Sequence, residues 1–384
     1  MASFPKPIRV AFVFNHHYFL GGGERSFALL IENLDKNSFD PLVIIPGRGE
    51  IEEYFAGKGI RVAVVSFAPL KEVSKRTPFV SLMKLVGTLR KNRVDIIHAN
   101  GSRVCFYSLL AAQVLRRPVI WHVRETIKDY LLYDALLALF SKAIVCASRS
   151  ILEKRFGSLH HWIRGKTLVV HNGVDTKLFR QDRESREKKR KELGIGGDEI
   201  LFGILGNIVS HKGQDFFVKG FAEAKKLRPS FRGKAFIMGR TLDEKFFEHL
   251  HQLILQFGLK DFVLFRDYRP AILDTLSSLD VFVLPSQREG FSRSLLEAMS
   301  VGLPVVATRL SEIQEAVTEG ENALLVDFGN TRQMALHFIG LSEDASLRKR
   351  MGERNRLRAL ESFDLSLHVR CMENLYKKLA AKHP

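Results

Sequence analysis

Apolar residues recur along the chain in short runs of strand length, separated by longer segments with helical spacing. In the first half, the strand-like runs are Val10–Phe14, Pro41–Ile45, Ile60–Val65, Asp95–His98, Pro118–His122 and Ala143–Ala147. A helical segment follows the first run from about Glu24 to Leu34, and Phe79, Met83 and Val86 mark another. Apolar strands that alternate with helices predict a parallel sheet covered on both faces.

The second half repeats this alternation. Its strand-like runs are Ile200–Leu205, Ala235–Met238, Val263–Phe265, Val281–Leu284, Pro304–Ala307 and Ala323–Val326, with helical segments at Asp215–Leu227 and Arg293–Ser300. The pattern predicts an α/β protein with two doubly wound, Rossmann-like domains, in residues 1–176 and 177–364. A helix from about Leu365 to Ala381 has one apolar side, so residues 365–384 are expected to pack back on the first domain.

The charged run Gln181–Glu192 lies at the expected domain boundary and is interpreted as a solvated face. Ligands of open parallel sheets bind outside the carboxyl ends of the strands. With two such domains, the expected site is a cleft in which these ends face each other.

Composition narrows the class of protein. A chain of 384 residues with 46% hydrophobic content is long enough for two well-buried cores. Cys105, Cys146 and Cys371 are scattered and form no Cys-x-x-Cys pair, which argues against a disulfide framework and a zinc site. No signal-peptide pattern and no apolar run of transmembrane length are found, so a cytoplasmic location is expected.

The formal net charge of +17 has two interpretations. A basic surface attracts nucleic acids, anionic lipids or polyanionic substrates. Alternatively, the excess of cations serves only solubility. No nucleic-acid-binding motif accompanies the charge, so a nucleic-acid partner is not expected.

The strongest chemical signal is the segment PSQREGFSRSLLEAMSVGLPVVAT at residues 285–308. Glu289 lies in its loop, and Glu297 lies on the helix that follows. Two carboxylates placed in this way can bind two sets of hydroxyls on one ligand through charge-assisted hydrogen bonds. Taken alone, Glu297 could equally be an ordinary surface residue of the helix.

Two further features of the second half suit a phosphate group. Gly290, Phe291 and Ser292 would present backbone N–H groups at a helix N-terminus, where anions bind. Lys212 stands beside Gly213 at the start of another helix and could act as a point charge for a departing phosphate. The alternative for Lys212 is a solvated surface lysine.

These residues carry a resemblance to a known family. Segment 285–308 resembles the Glu-x7-Glu signature of the family 4 glycosyltransferases, which have the GT-B fold. The resemblance covers essentially the whole chain and includes Gly21-Gly-Gly-Glu-Arg25, His171-Asn-Gly-Val-Asp175 and Leu205-Gly-Asn-Ile-Val-Ser-His-Lys-Gly213. It implies a hexosyltransferase that moves a sugar from a nucleotide-diphosphate sugar to a hydroxyl acceptor, in lipopolysaccharide, capsule or glycolipid assembly.

The resemblance also implies residue roles. Glu289 matches the glutamate that contacts the donor sugar near the reacting centre, and Glu297 the one that holds the nucleotide ribose. Lys212 matches the cation that neutralises the donor diphosphate. Gly22 and Gly23 match the loop that lets the backbone approach the diphosphate and the acceptor, where a Cβ would obstruct.

His122 matches a family histidine near the donor sugar, which would make it catalytic together with Glu289 and Lys212. Its alternative is a hydrogen-bonded histidine of the core. His16, His17 and His98 are further candidates.

One position departs from the family pattern. Asn207 stands where the family often has an arginine, so leaving-group stabilisation could rest more on Lys212 or be shared with Arg240 or Arg288. Recognition of the base is expected around Arg266–Arg269. The sequence leaves open whether the donor is a UDP-, GDP- or ADP-sugar.

The expected chemistry requires neither a metal nor another cofactor. The chain has no Asp-x-Asp and no His-Glu-x-x-His motif. Side chains and helix termini must then neutralise the diphosphate. The resemblance implies retention of anomeric configuration, and the hypothesis is front-face attack, with a donor phosphate oxygen taking the acceptor proton.

The acceptor is expected to be a glycan or a lipid-linked glycan. Basic residues cluster with apolar ones over residues 67–93, which would suit an anionic membrane surface and a peripheral location on the inner face of the cell membrane. The cluster consists of Lys71, Lys75, Arg76, Lys84, Arg90, Lys91 and Arg93, with Phe67, Leu70, Phe79 and Leu82. Alternatively, the apolar members pack against the sheet and the cations are solvated.

Three other classes compete with a transferase. The charge alone would suit a polyanion-binding protein. A nucleotide-sugar epimerase or a phosphorylase could share the two-domain architecture, although the Glu-x7-Glu segment favours transfer. An inactive nucleotide-sugar-binding protein is the third class, suggested by Asn207.

Overall fold

The computed structural model describes residues 6–68, 77–126, 131–157, 159–269 and 272–382. The chain divides into two compact units, the first consisting of Met1–Asn172 with Ser366–Pro384 and the second of Gly173–Leu365. The boundary lies slightly before residue 176 because Val174 already belongs to the second unit. Its N–H donates to Phe363 O (2.8 Å) and its carbonyl accepts from Leu365 N (2.9 Å).

In the first unit, the described strands form a parallel sheet in the order β3-β2-β1-β4-β5-β6-β7. The strands are β1 (Ile8–Phe14), β2 (Phe39–Ile45), β3 (Arg61–Val64), β4 (Ile96–Asn100), β5 (Val119–Val123), β6 (Ala143–Cys146) and β7 (Thr167–Val169). The helices are α1 (Gly22–Glu32), α2 (Glu50–Ala56), α3 (Thr77–Lys91), α4 (Ser102–Leu115), α5 (Leu131–Phe140), α6 (Arg149–Phe156) and α7 (His160–Ile163). The predicted doubly wound sheet is confirmed.

In the second unit, the described strands form a parallel sheet in the order β10-β9-β8-β11-β12-β13. The strands are β8 (Ile200–Leu205), β9 (Gly233–Met238), β10 (Val263–Arg266), β11 (Val281–Leu284), β12 (Val305–Thr308) and β13 (Ala323–Val326). The helices are α8 (Arg183–Glu192), α9 (Gln214–Leu227), α10 (Glu244–Gln256), α11 (Leu273–Ser278), α12 (Arg293–Val301), α13 (Ser311–Gln314), α14 (Thr331–Glu343) and α15 (Ala345–Ser362). Phe202, Phe217, Phe221 and Phe338 form the centre of its core.

The last helix, α16 (Leu365–Ala381), joins the first unit from Ser366 onward. Its Tyr376 is buried, and its hydroxyl lies 2.7 Å from His98 Nδ1 on β4. Glu373 accepts a hydrogen bond from Asp35 N (2.8 Å). The apolar side of this helix therefore covers the first sheet.

The charged run Gln181–Glu192 is not a fully solvated face. Residues Arg183–Glu192 of this run form α8, and both Arg186 and Arg190 donate to Asp280, directly before β11. Lys189 is buried and bonded to Glu192 (3.1 Å). The interpretation from composition was wrong at these positions because a charge run does not show which distant carboxylate it meets.

Candidate active site

The loops that follow β8 and β11 pack against each other at the carboxyl edge of the second sheet. Gly213, which ends the loop after β8, has φ +71°, and a Cβ there would lie 2.1 Å from Pro285 O. Gln287 N donates to His211 O (2.9 Å). Because no side chain larger than hydrogen fits at Gly213, this glycine holds the two loops in contact.

Lys212 and Glu289 form an ion pair across these two loops. Lys212 Nζ donates to Glu289 Oε1 at 2.7 Å, and the Ser286 hydroxyl donates to the same oxygen at 2.7 Å. The Glu289 side chain is 7% exposed and that of Lys212 is 24% exposed. The structure therefore argues against Lys212 as a solvated surface lysine, because its ammonium is held against a nearly buried carboxylate.

The imidazole of His211 lies beside this pair. Partial burial lowers its pKa, and the positive charges of Lys212 and Arg288 lower it further, against the opposing effect of Glu289. The neutral form of His211 is therefore favoured beside the Lys212–Glu289 pair. Arg288 is exposed at the same edge.

Helix α12 carries the second motif glutamate. Glu297 is 4% exposed and accepts a hydrogen bond from Arg293 Nη2 one turn earlier. This burial excludes the alternative of a surface helix residue. The pairing with Arg293 was not predicted, although the i, i+4 spacing on a helix was visible in the sequence.

The residues before α12 order its N-terminus. Ser292 is the N-cap, and its hydroxyl accepts from Leu295 N (3.4 Å). Phe291 is buried and its ring packs on Phe363, with centroids 5.6 Å apart. Gly290 precedes them with part of its surface exposed. These three residues thus form an anchored turn beside Glu289, as a phosphate-binding helix start would require.

The other predicted donor residues lie on neighbouring loops of the same edge. Asn207, after β8, accepts a hydrogen bond from the buried Gln214 through its carbonyl oxygen (2.9 Å). Arg240, after β9, is exposed, and its carbonyl accepts from Ile208 N (2.9 Å). Arg266 ends β10, is exposed and donates a hydrogen bond to the adjacent Phe265 O (2.8 Å).

In the first unit, the predicted glycine loop opens α1. Gly22 is the first residue of this helix, and Gly21 is its N-cap. A Cβ at Gly23 would lie 3.2 Å from Arg124 Cδ, so the glycine leaves room for this arginine. Arg124 donates to Asn100 Oδ1 and Asn172 Oδ1, each at 2.7 Å.

His122 lies in the core of the first unit. Its side chain has no exposed surface, and its Nδ1 lies 3.1 Å from His98 Nε2, with the two rings stacked. Burial, followed by the charge of Arg124, lowers the pKa of both histidines well below the usual range. Arg124 Nη2 lies 3.5 Å from His122 Nδ1, and among the described residues the buried Nε2 has no hydrogen-bond partner. The role of His122 near the donor sugar stays a prediction.

Ser286, Arg293 and Arg124 were not predicted as site residues from the sequence. Ser286 and Arg293 stand within the segment singled out at residues 285–308, but only the structure shows that each bonds a motif glutamate. Arg124 directly follows the apolar strand β5, the position at which ligand-contacting residues of parallel sheets are found.

The basic and apolar cluster of residues 67–93 is only partly a surface. Phe67 is buried, with its ring centroid 5.4 Å from that of Tyr107, whereas Phe79 is exposed. Lys84, Arg90, Lys91 and Arg93 are exposed. Leu70, Lys71, Lys75 and Arg76 lie outside the described residues.

In the described residues, no group of three or more histidine, cysteine, aspartate or glutamate side chains is arranged to hold a metal ion. Within the same residues, no helix is both long and apolar enough to span a bilayer.

Family models match both halves of the chain. The model described as Glycosyltransferase Family 4 matches residues 20–178, and that described as Glycosyl transferases group 1 matches residues 185–358. With two parallel-sheet units and a paired Lys212–Glu289 at one sheet edge, these matches define a glycosyltransferase. The chain belongs to the family 4 glycosyltransferases, as the segment 285–308 indicated.

Several characterised bacterial proteins are similar along most of the chain. The capsular polysaccharide biosynthesis glycosyltransferase CapM of Staphylococcus aureus is 24% identical over 90% of this chain and 92% of its own length. The UDP-Gal:α-D-GlcNAc-diphosphoundecaprenol α-1,3-galactosyltransferase of Escherichia coli is 22% identical over 93% of this chain and 94% of its own. The lipopolysaccharide core biosynthesis mannosyltransferase LpsB of Rhizobium meliloti is 30% identical over 56% of this chain and 61% of its own.

Solved structures share the fold. Anabaena Alr3699/HepE in complex with UDP has a TM-score of 0.86 at 22% identity, covering 97% of this chain and 100% of its own. A glycosyltransferase from Rickettsia africae has a TM-score of 0.85 at 18% identity, covering 98% and 99%. At this level of identity the likeness shows the fold, and the predicted GT-B fold is confirmed.

Proposed function

We propose that this glycosyltransferase transfers a hexose from a nucleotide-diphosphate sugar to a hydroxyl of a glycan or lipid-linked glycan, with retention of anomeric configuration. The observation that carries the proposal is the Lys212–Glu289–Ser286 cluster at the carboxyl edge of the second sheet. It supplies one cation and one carboxylate, held 2.7 Å apart, to a ligand that carries both phosphates and hydroxyls.

The cluster suits a donor whose bond breaks between sugar and phosphate. In the free protein, Glu289 accepts from Lys212 and Ser286. A bound diphosphate would share the Lys212 ammonium, and the carboxylate would then accept from sugar hydroxyls. The anchored turn Gly290–Ser292 adds backbone N–H groups for the phosphate. These groups support neutralisation of the diphosphate by the protein itself, without a metal ion.

In the proposed reaction, the bond between the anomeric carbon and the phosphate oxygen breaks as the acceptor oxygen bonds to that carbon from the same face. The acceptor proton passes to a phosphate oxygen, and the nucleoside diphosphate leaves. Glu289 positions the sugar, and Lys212 stabilises the charge that develops on the leaving phosphate. Glu297, with Arg293 behind it, would hold the nucleotide ribose.

The relatives support a choice of donor and acceptor to test first. HepE is described with UDP and with UDP-glucose, and the E. coli relative is a UDP-Gal transferase acting on a diphosphoundecaprenol-linked sugar. CapM and LpsB serve capsule and lipopolysaccharide synthesis. We therefore place a UDP-hexose first among donors and a cell-surface polysaccharide precursor first among acceptors.

Thermal unfolding with UDP, GDP and ADP at fixed salt tests nucleotide binding. A nucleotide at 100 times its dissociation constant adds about 2.7 kcal/mol to the free energy of unfolding. We expect this shift with UDP. A shift with heparin and with none of the nucleotides would replace the proposal by a polyanion-binding function.

Turnover of the preferred donor then tests the cluster. We expect Glu289→Gln to lower kcat by about 100-fold or more, because the amide cannot accept charge-assisted hydrogen bonds from the sugar. Glu353→Gln, at an exposed glutamate of α15, is the matched control and should retain full activity. Near-normal turnover of Glu289→Gln would refute its assignment, and inversion at the anomeric centre, read by NMR of the product, would refute the mechanism.

A further inference from the structure

Arg293 is the first residue of helix α12 and pairs with Glu297 one turn later. The side chain of Arg293 is 17% exposed and that of Glu297 is 5% exposed, so the ion pair is largely removed from water. The Nη1 atom of Arg293 is buried and, within the described residues, has no hydrogen-bond acceptor. A guanidinium N–H without an acceptor is costly away from water. The free protein therefore leaves this arginine incompletely satisfied.

The second unit contains the same local arrangement in an exposed form. Arg183 is the first residue of α8 and pairs with Glu187 at 3.1 Å, with side chains 91% and 68% exposed. Helix α8 also has an aspartate cap and Glu184 in its first turn, whereas α12 has a serine cap and no acidic residue in its first turn. Cations are disfavoured at a helix N-terminus. The arginine at the start of α12 is thus more deeply buried than its counterpart in α8 and has less negative charge around it.

Two cation–carboxylate pairs lie in the segments that carry the proposed donor site. In both Lys212–Glu289 and Arg293–Glu297, the cation donates to Oε1 of a glutamate that the proposed function assigns to hydroxyls of the donor. A ribose presents two neighbouring hydroxyls, which can occupy both oxygens of Glu297 once the arginine has left. The arginine then needs another anion, and the phosphates are the anionic groups of a nucleoside diphosphate.

We propose that Arg293 exchanges its partner when a nucleoside diphosphate binds: the guanidinium leaves Glu297 and donates to oxygens of the diphosphate. The Glu297 carboxylate then accepts hydrogen bonds from the ribose hydroxyls. The exchange leaves neither ion without a partner and gives the unsatisfied Nη1 an acceptor. A guanidinium suits this role because its planar fork matches a phosphate group. The inference rests on the proposed function and adds Arg293 to the residues that contact the donor.

The test compares UDP with uridine, which shares the base and the ribose and lacks the phosphates, by isothermal titration calorimetry on the full chain. If GDP or ADP is the nucleotide that binds, its own nucleoside replaces uridine. In Arg293→Met, which keeps most of the apolar stem, we expect the affinity for UDP to fall by about tenfold or more and that for uridine to change by less than about threefold.

Two further variants show whether the charge of Arg293 is responsible. Arg293→Lys keeps the cation and should bind UDP within about fivefold of the unaltered chain, although an ammonium lacks the fork of the guanidinium. The matched control is Arg183→Met, which removes the exposed counterpart in α8 and should bind UDP as the unaltered chain does.

A double variant separates direct contact from positioning. Arg293→Met alone leaves the buried Glu297 carboxylate without its cation and lowers stability, whereas Arg293→Met/Glu297→Gln leaves no uncompensated charge. Relative to Glu297→Gln alone, the double variant should again lose about tenfold or more in UDP affinity, because the phosphate contact does not depend on the carboxylate. If Arg293 acted only by orienting Glu297, these two variants would bind UDP equally.

Three results would overturn the inference: equal losses for UDP and uridine in Arg293→Met, tighter binding of UDP by this variant, or equal UDP affinity of Glu297→Gln with and without Arg293→Met. The first and third would make Arg293 a positioning residue, and the second would make it a block on the donor site. In each case UDP still binds, so the proposed function stays supported. Failure of the unaltered chain to bind UDP, GDP or ADP would instead refute the proposed function, and the inference with it.

Discussion

Replacement of Lys212 by methionine would separate the structural role of the Lys212–Glu289 ion pair from its proposed role in catalysis. Methionine keeps most of the apolar stem and removes the charge. The Glu289 carboxylate, 7% exposed, would then keep the Ser286 hydroxyl as a donor and lose the ammonium at 2.7 Å.

The magnitude follows from distance and exposure. At 2.7 Å and an effective dielectric constant of about 20, two unit charges attract by roughly 6 kcal/mol, most of which desolvation offsets. Removing one partner of a fully buried pair costs about 3–5 kcal/mol. Because Lys212 is 24% exposed and the bond from Ser286 remains, we expect a loss of about 2–3 kcal/mol.

Thermal or urea unfolding at neutral pH would measure this loss, which corresponds to a fall in Tm of about 4–12 °C for a unit of this size. The control is Lys219→Met, which breaks the i, i+4 pair with Asp215 (3.1 Å) at a partly exposed position of α9. Such a pair contributes about 0.3–0.5 kcal/mol.

The double variant Lys212→Met/Glu289→Gln gives the decisive comparison. It leaves no uncompensated charge, so its stability should return to within about 1 kcal/mol of the unaltered chain. Its turnover should stay about 100-fold or more below normal, because both proposed catalytic groups are gone. A double variant as unstable as Lys212→Met, or a single variant with unaltered stability, would refute the electrostatic argument.

Three further changes test the fold around the site. Gly213→Ala should lower the free energy of urea unfolding by at least about 2 kcal/mol, because the added Cβ would lie 2.1 Å from the carbonyl oxygen of Pro285. The control Gly258→Ala also has positive φ (+63°) but lies in open space, so it should cost only about 1 kcal/mol. Equal losses in the two variants would contradict the clash. Asp280→Asn should cost about 2–3 kcal/mol by freeing the two arginines of α8, whereas Glu187→Gln, at an exposed pair on that helix, should change stability by less than about 0.5 kcal/mol. Burial, and then the charge of Arg124, lowers the folded-state pKa of His368 to about 4. The contribution of His368 to stability is therefore complete above about pH 6.5 and is lost as pH falls from about 6.5 to about 4. His368→Gln should reduce the slope of the unfolding free energy against pH in that window by up to about one proton, and an unaltered slope would contradict the assignment.

Local pattern was enough to predict the order of strands and helices. The runs Ile200–Leu205, Val281–Leu284 and Ala323–Val326 are strands with these bounds, and the last helix begins and ends where its apolar spacing does. Hydrophobic periodicity and loop residues act over a few positions, so one sequence contains this information. The segment 285–308 likewise identified the family, because its residues are contiguous.

The candidate site was only partly predictable. The chemistry of Glu289 and Lys212 was expected from their motifs, but their ion pair joins residues 77 positions apart. The burial of His122 gave no local signal either. His122 lies near the end of β5, and only the packing of β4, β5 and α16 shows that it is buried against His98.

The amino-acid sequence alone indicates the class of fold, the two repeated sheets and the family. Which side chains are covered depends on how distant elements pack together. Phe67 and Phe79 are both apolar and stand close together in sequence, yet one is buried and the other exposed. Helix α5 is apolar around most of its circumference, which would suit a core helix, and its outer side is left open. Periodicity reports the preference of a side chain for burial, whereas burial itself depends on whether a distant element packs there.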